Sequence, residues 1–122
     1  PEPCALFQCH GCYAVLGDSL ELCAQEPRLG VLVCYKVTND VVCQDLLVCA
    51  LEGALQGCSY YALSCRSCDL VVGFVLYSAP KRLACLRGLF CFVKDKIRCY
   101  VLKKQRIIEA SEVDFPAVTI KE

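Results

Sequence analysis

The sequence predicts an all-β protein in which two antiparallel sheets pack on each other, accompanied by one short helix. Three observations carry that expectation. Roughly seven to nine short runs rich in Val, Leu, Tyr, Phe and Cys alternate with turn residues, the spacing of a mainly β chain. Two cysteine pairs, Cys9-His10-Gly11-Cys12 and Cys65-Arg66-Ser67-Cys68, share the continuation C-x-x-C-x-x-V-[LV]-G, through Val15 and Gly17 in one case and Val71 and Gly73 in the other. Each reads as a knuckle running into a strand. Finally, 57% of the 122 residues are hydrophobic, ample for the core of one domain.

Taken in order, residues 5–9 read as a short strand entering the first knuckle, and residues 13–16 leave it as the second arm of a hairpin. Gly17-Asp18-Ser19 is a turn signal. A strand over 20–23 is broken at Glu26-Pro27-Arg28, because proline removes a ladder donor. Val-Leu-Val-Cys-Tyr-Lys-Val over 31–37 is β-branched and aromatic, the composition of a pleated half-buried surface. Thr38-Asn39-Asp40 turns the chain into strands over 41–43 and 46–51, and residues 52–59, with Gly53 and Gly57, form a loop. Residues 60–64 enter the second knuckle. The longest strand, 69–77, contains Gly73, expected at a bulge or a close backbone approach. Pro80 then suits the first position of a helix over 81–87, with Leu83 and Leu86 on one side and Gly88 as the stop. Residues 89–93 and 97–102 read as a hairpin through Lys94-Asp95-Lys96. The tail from 103 is polar and reads as an extended or partly helical link.

The cysteine pairs have a physical reading of their own. Two residues between thiolates let a tight turn aim both sulfurs at one ion about 2.3 Å away. Gly11 and Ser67 are small enough to ease those turns. Four such thiolates, Cys9, Cys12, Cys65 and Cys68, complete a tetrahedron with no open position, so the pattern predicts one structural Zn2+. Closing the long loop between the pairs costs about 3–4 kcal/mol. Zinc binding at such a site is worth about 10–16 kcal/mol. The ion can therefore hold two distant hairpins together.

Composition excludes several classes. Lys and Arg number 13 and balance 13 Asp and Glu, so the whole chain carries no general attraction for nucleic acid or anionic membrane. No apolar run reaches the roughly 18 residues of a membrane span. The chain starts at Pro1 with no visible signal peptide, as an excised piece would. Thirteen cysteines are an odd count, and many sit where a strand would place valine or alanine (Cys34, Cys49, Cys91, Cys99). They read as reduced, buried small hydrophobes in a cytosolic or nuclear compartment rather than as a disulfide scaffold. Of the spare cysteines, Cys85 and Cys58 look the most exposed.

A catalytic zinc needs an open coordination position, and four thiolates leave none. His10 is the lone histidine, and inside the first knuckle it reads as an exposed loop residue rather than a ligand. Without a second histidine, Cys-His and Ser-His-Asp systems have almost no material. No catalytic and no cofactor-binding residues are predicted. Thiol redox chemistry is the remaining enzyme alternative. Lys94, Lys96, Arg98, Lys103, Lys104 and Arg106 surround the last two strands. They read first as a solvated edge guarded by lysines, and as a phosphate-contacting surface only as the alternative. Phe74, Phe90 and Phe92 are placed in the core.

Several segments together carry a resemblance. The first pair followed by Leu16-Gly17-Asp18-Ser19, the second followed by Val72-Gly73, then Tyr77-Ser78 and Leu86-Arg87-Gly88-Leu89-Phe90-Cys91, resemble the Yippee-like domain of the Mis-eighteen family. Val37-Thr38-Asn39-Asp40-Val41-Val42, Cys99-Tyr100-Val101-Leu102-Lys103 and Ala110-Ser111-Glu112-Val113-Asp114 resemble its beta branch more closely. The resemblance implies the Yippee, or β-tent, fold, with zinc on Cys9, Cys12, Cys65 and Cys68. It implies a domain over 1–104 and a link over 105–122 towards a C-terminal coiled coil. It further implies a nuclear, non-enzymatic centromere adaptor that pairs with the alpha paralogue or with itself. Such an adaptor works with a Mis-eighteen-binding protein and the chaperone of the centromeric histone H3 variant to license deposition of that histone.

Overall fold

The computed structural model describes residues 4–103 and 105–112. Ten strands form two antiparallel sheets: β1 (Ala5–Cys9), β2 (Val15–Asp18), β3 (Leu22–Glu26), β4 (Val31–Cys34), β5 (Val41–Cys49), β6 (Ser59–Cys65), β7 (Val71–Ser78), β8 (Phe90–Val93), β9 (Ile97–Val101) and β10 (Arg106–Glu109). The smaller sheet runs β10-β9-β1-β2, and the larger runs β3-β4-β8-β7-β6-β5. The expected architecture of two packed antiparallel sheets is the one observed.

Strand periodicity explains how the sheets meet. In β1, Ala5, Phe7 and Cys9 are buried and alternate with half-buried Leu6 and Gln8, so one face of the smaller sheet points inwards. Phe7, Leu16 and Ile97 from that sheet meet Leu32, Leu63, Val72 and Phe92 from the larger one. Phe7 and Phe92 contact edge to face with ring centroids 6.4 Å apart. The opposite face of the larger sheet is covered as well. Val31, Val33, Phe74, Leu76 and Cys91 pack beneath Leu83 and Leu86. Every residue of β4 is therefore buried, which is why its sequence is continuously apolar rather than alternating.

Leu83 and Leu86 lie on a 3-10 helix, Lys81–Leu86, in place of an α-helix. Their spacing of three eclipses the two leucines in 3-10 geometry, so both reach the sheet from one short turn. Gly88, with φ +78°, then returns the chain to the sheet. Gly73 allows a close backbone approach in the larger sheet. A Cβ there would stand 1.9 Å from the Cys91 carbonyl oxygen on the neighbouring strand.

Several expectations change, among them the turn at Gly17-Asp18, which lies inside β2. Residues 89–93 and 97–102 are not a hairpin: β8 pairs with β4 and β7, and β9 pairs with β1 and β10. The 3-10 turn Lys94–Lys96 carries the chain from one sheet to the other. The strands expected over 41–43 and 46–51 are one strand, β5, with an irregular register between Cys43 and Leu47. The run expected over 31–37 leaves the ladder after Cys34. The polar tail, read as a link from 105, begins with β10, whose Arg106 to Glu109 register pairs it with Val101 to Arg98 of β9. Ala110 follows it into the core between the sheets. The edge strand beside the basic cluster is thus β10 and not β9. Lys104, Pro116 and the rest of the tail beyond Glu112 lie outside the described residues. Among the described residues, no helix is long and apolar enough to cross a membrane.

Candidate metal centre

The first knuckle joins β1 to β2, and the second joins β6 to β7, so each sheet supplies one. The two are built alike. In the first, Tyr13 N–H donates to Cys9 O (2.9 Å) and Cys9 N–H to Ala14 O (2.8 Å). In the second, Asp69 N–H donates to Cys65 O (2.8 Å) and Cys65 N–H to Leu70 O (2.8 Å). The residue after each second cysteine is left-handed, Tyr13 at φ 65° and Asp69 at φ 63°. That conformation reverses the chain within one residue and leaves both thiols of a pair on the same side. Asp tolerates it through its short polar side chain. Tyr13 has no such advantage, and no local sequence signal marks it. Gly11 plays a different part from the turn-easing one expected: a Cβ on it would lie 3.3 Å from Cys68 Sγ and 3.7 Å from Cys9 Sγ. Its bare Cα makes room for the opposing thiols.

The structure brings together all four thiols named from the sequence. The Sγ atoms of Cys9, Cys12, Cys65 and Cys68 lie within 4.8 Å of one another. Across the two knuckles, Cys9 Sγ is 3.5 Å from Cys68 Sγ, and Cys12 Sγ is 3.5 Å from Cys65 Sγ. A tetrahedral ion with metal–sulfur bonds of about 2.3 Å sets sulfurs about 3.8 Å apart. The donor set and its spacing therefore fit a single soft or borderline ion with all four positions taken by sulfur. Cys9 and Cys65 are buried, Cys12 is half-buried and Cys68 is exposed.

The thiols differ electrostatically. Burial pushes Cys9 up to about 12, against the pull of the Gly11 and Cys12 N–H groups. Burial also acts to raise Cys65, but the Cys68 and Ser67 N–H groups, with the Cys12 and Cys9 thiols, bring it below its ordinary value. Backbone N–H groups directed at sulfur favour thiolate, the form that binds a metal. Gly11 N–H, 3.3 Å from Cys9 Sγ, is one of them.

Linked polar side chains lie beside the first knuckle. His10 Nε2 lies 3.2 Å from Glu109 Oε2, and Arg98 Nη1 donates to Glu109 Oε1 at 2.8 Å. The Arg98 guanidinium also sits 5.1 Å from the centroid of the Tyr13 ring. His10 is partly exposed and stands outside the four-sulfur group, as its position in the turn suggests. Glu109 was not legible as part of this cluster, because it lies in the polar stretch that reads as a link.

The remaining cysteines divide by place. Cys34, Cys91 and Cys99 are buried, as their strand positions predict. Burial raises Cys34 strongly, and raises Cys91 and Cys99 to about 12 each. Thiols held neutral in this way are poor nucleophiles. Three cysteine placements differ from expectation. Cys49 is exposed because β5 is an edge strand. Cys58 is buried, since the loop before it closes on itself through Cys58 N–H to Leu55 O and Ala50 N–H to Cys58 O. Cys85 is half-buried. Outside the four-sulfur cluster, the exposed thiols among the described residues are Cys4, Cys43 and Cys49. In the basic cluster, Lys94 Nζ donates to Gln25 Oε1 and Arg98 is paired to Glu109.

Comparison with known proteins gives a consistent answer. A family described as Yippee zinc-binding/DNA-binding and Mis18, centromere assembly, matches residues 5–112. Human protein Mis18-alpha is 32% identical over 111 residues, covering 88% of this chain and 48% of that protein. Kinetochore protein mis18 of Schizosaccharomyces pombe is 30% identical over 104 residues, covering 84% of this chain and 52% of that protein. The chain thus spans about half the length of the curated relatives it matches. A crystal structure of a Mis18 Yippee-like domain superposes with a TM-score of 0.73 at 29% identity, covering 81% of this chain and 96% of the other.

Proposed function

The chain belongs to the Yippee/Mis18 family of centromere assembly proteins, and from that premise we propose that it is a non-enzymatic centromere adaptor whose zinc-pinned domain serves protein–protein pairing. One structural Zn2+ is held by Cys9, Cys12, Cys65 and Cys68. The supporting observation is the four-sulfur cluster in a chain matched over nearly its whole length by a zinc-binding family. When bound, the ion supplies a fixed crosslink between the two sheets and offers no open position for substrate.

The finer reading follows the segments that resemble the beta branch. The chain is the beta-type partner of an alpha-type Yippee domain, with a second copy of itself as the alternative partner. The assembly acts in the nucleus at centromeres, with a Mis-eighteen-binding protein and the centromeric histone chaperone, to license deposition of the histone H3 variant. The word kinetochore in the name of the fission-yeast relative supports that location.

Two measurements test this. Light scattering of the chain mixed with an alpha-type Yippee domain should give a mass above either component, and two non-associating monomers would overturn the pairing. Atomic emission should find one zinc per chain, lost in Cys65→Ser together with cooperative unfolding. Four free thiols and no metal in the parent protein would remove the zinc assignment. DNA contact is a second reading, favoured by the DNA-binding part of the family description and by the basic residues around β9 and β10. It requires retention on DNA that falls steeply with salt.

A further inference from the structure

Strand β10 is attached to the rest of the protein in two ways. It pairs with β9 along its length, and Glu109 reaches His10 and Arg98 beside the first knuckle. Of its own side chains, Arg106 and Ile107 are exposed, and Ile108 packs at the margin of the core. The apolar contribution of β10 is therefore small, and a strand at the end of a ladder with few buried groups belongs to the low-stability part of a fold. The contact at Glu109 assumes a correspondingly large share of what holds it.

Both partners of Glu109 touch the first knuckle. His10 lies between Cys9 and Cys12, and its backbone N–H donates to Lys96 O at 3.0 Å. The Arg98 guanidinium lies over Tyr13, the left-handed residue directly after Cys12. A metal on the four thiols fixes the turn that carries His10 and Tyr13, and these fix the two groups that grip Glu109. Just beyond, Ala110 is fully buried in the same core cluster as Cys9 and Cys65.

We propose that Glu109 is a clasp between the metal centre and the exit strand, so that metal loading decides whether residues 106–112 are docked. With the site loaded, β10 caps β9 and the chain leaves the domain from a fixed point. With the site empty, the His10 and Tyr13 turn loosens and the grip on Glu109 is lost. Residues 106–112 then detach, and β9 presents its unpaired N–H and C=O groups as a new sheet edge. Glu109 is a positioning residue here and touches no ion. This inference rests on the metal assignment proposed above.

Hydrogen exchange read by mass spectrometry on the whole chain tests it. With zinc bound, Glu109→Ala should speed exchange of 106–112 by about 10-fold, the effect of a partly exposed charge-assisted contact. Zinc content and the protection of β4 and β8 should stay at parent levels. His10→Ala should act in the same direction, and it serves as the deciding variant if Glu109→Ala does not fold. Stepwise chelation of the parent protein should release 106–112 before β4 and β8 lose protection. Unchanged exchange in the zinc-loaded variants overturns the clasp. Simultaneous loss of protection in β10, β4 and β8 on chelation overturns the gating. A parent protein that binds no zinc would defeat the metal assignment and the gating with it, while the Glu109→Ala comparison would still judge the clasp by itself.

Discussion

Replacing Gly73 by alanine should cost this protein a large part of its stability. The added Cβ would lie 1.9 Å from Cys91 O, 2.9 Å from Cys91 C and 3.1 Å from Phe92 Cα, all backbone atoms of β8. Carbon and oxygen do not approach within 3.0 Å in such contacts, so β7 and β8 must part by about 1 Å against a strand spacing of about 4.8 Å. The β7–β8 ladder is short, pairing Gly73 with Phe92, Phe74 with Cys91 and Val75 with Phe90. Parting it there loses about two hydrogen bonds at about 1 kcal/mol each. Displacing fully buried Phe92 and Cys91 adds an overpacking cost of about 1–3 kcal/mol. The sum is about 3–5 kcal/mol, out of the roughly 5–15 kcal/mol that stabilise a domain of this kind. Thermal melts followed by circular dichroism on zinc-loaded protein should show a fall of at least about 10 °C. Gly17→Ala is the matched control. Its Cβ meets the ring edge of Phe92 at 3.2 Å, and a side chain yields where backbone cannot, so about 1 kcal/mol is expected. A Gly73→Ala protein that melts within about 3 °C of the parent would refute the close approach of β7 and β8 as a constraint.

Two further outcomes follow from the same structure. Cys91 and Cys99 rise from an ordinary value of 9.0 to about 12 through burial, so the unfolded chain gives up these protons first. Stability should hold below about pH 9 and then fall towards pH 12 by about 1.4 kcal/mol per pH unit for each thiol. Melting temperatures between pH 7 and 11 check this, and a slope unchanged in Cys91→Ala would argue against the thiol as its source. Asp69→Val places a β-branched residue at φ 63° and should cost about 1–3 kcal/mol. It should also weaken zinc retention in a competition with a chelator, and full retention with an unchanged melt would count against the left-handed turn as part of the knuckle.

Legibility followed locality. The four thiols could be found because each knuckle repeats a short motif whose chemistry depends on spacing alone. The strands around 31–34 and 71–78 could be found because Val, Leu, Phe and Tyr at period two, or in an unbroken run, have few other uses. Gly73 could be marked as a close approach because a glycine in such a run weakens it without a compensating contact. The sheet to which a strand belongs was not legible. Lys94-Asp95-Lys96 has turn chemistry, and turn chemistry is equally compatible with a hairpin and with a 3-10 step between sheets. Glu109 and the β10 pairing were hidden for a related reason: a short edge strand with charged residues has the composition of a link. The depth of Cys58 depends on how the 52–57 loop closes, and the exposure of Cys49 depends on β5 standing at an edge. Both are properties of the assembled sheet.

The likeness of the two knuckles has a consequence for handling the protein. Each hairpin offers half of a tetrathiolate with the same hydrogen bonds and the same left-handed reversal. An incoming ion has little basis for telling a chain's own second half from the equivalent half of a neighbouring molecule. While the sheets are still apart, metal can therefore stitch molecules to one another as well as close one of them, the more so the more concentrated the protein. Refolding yield should depend on dilution and on the order of addition, with the ion best supplied after the core between Phe7 and Phe92 has brought the two halves within reach.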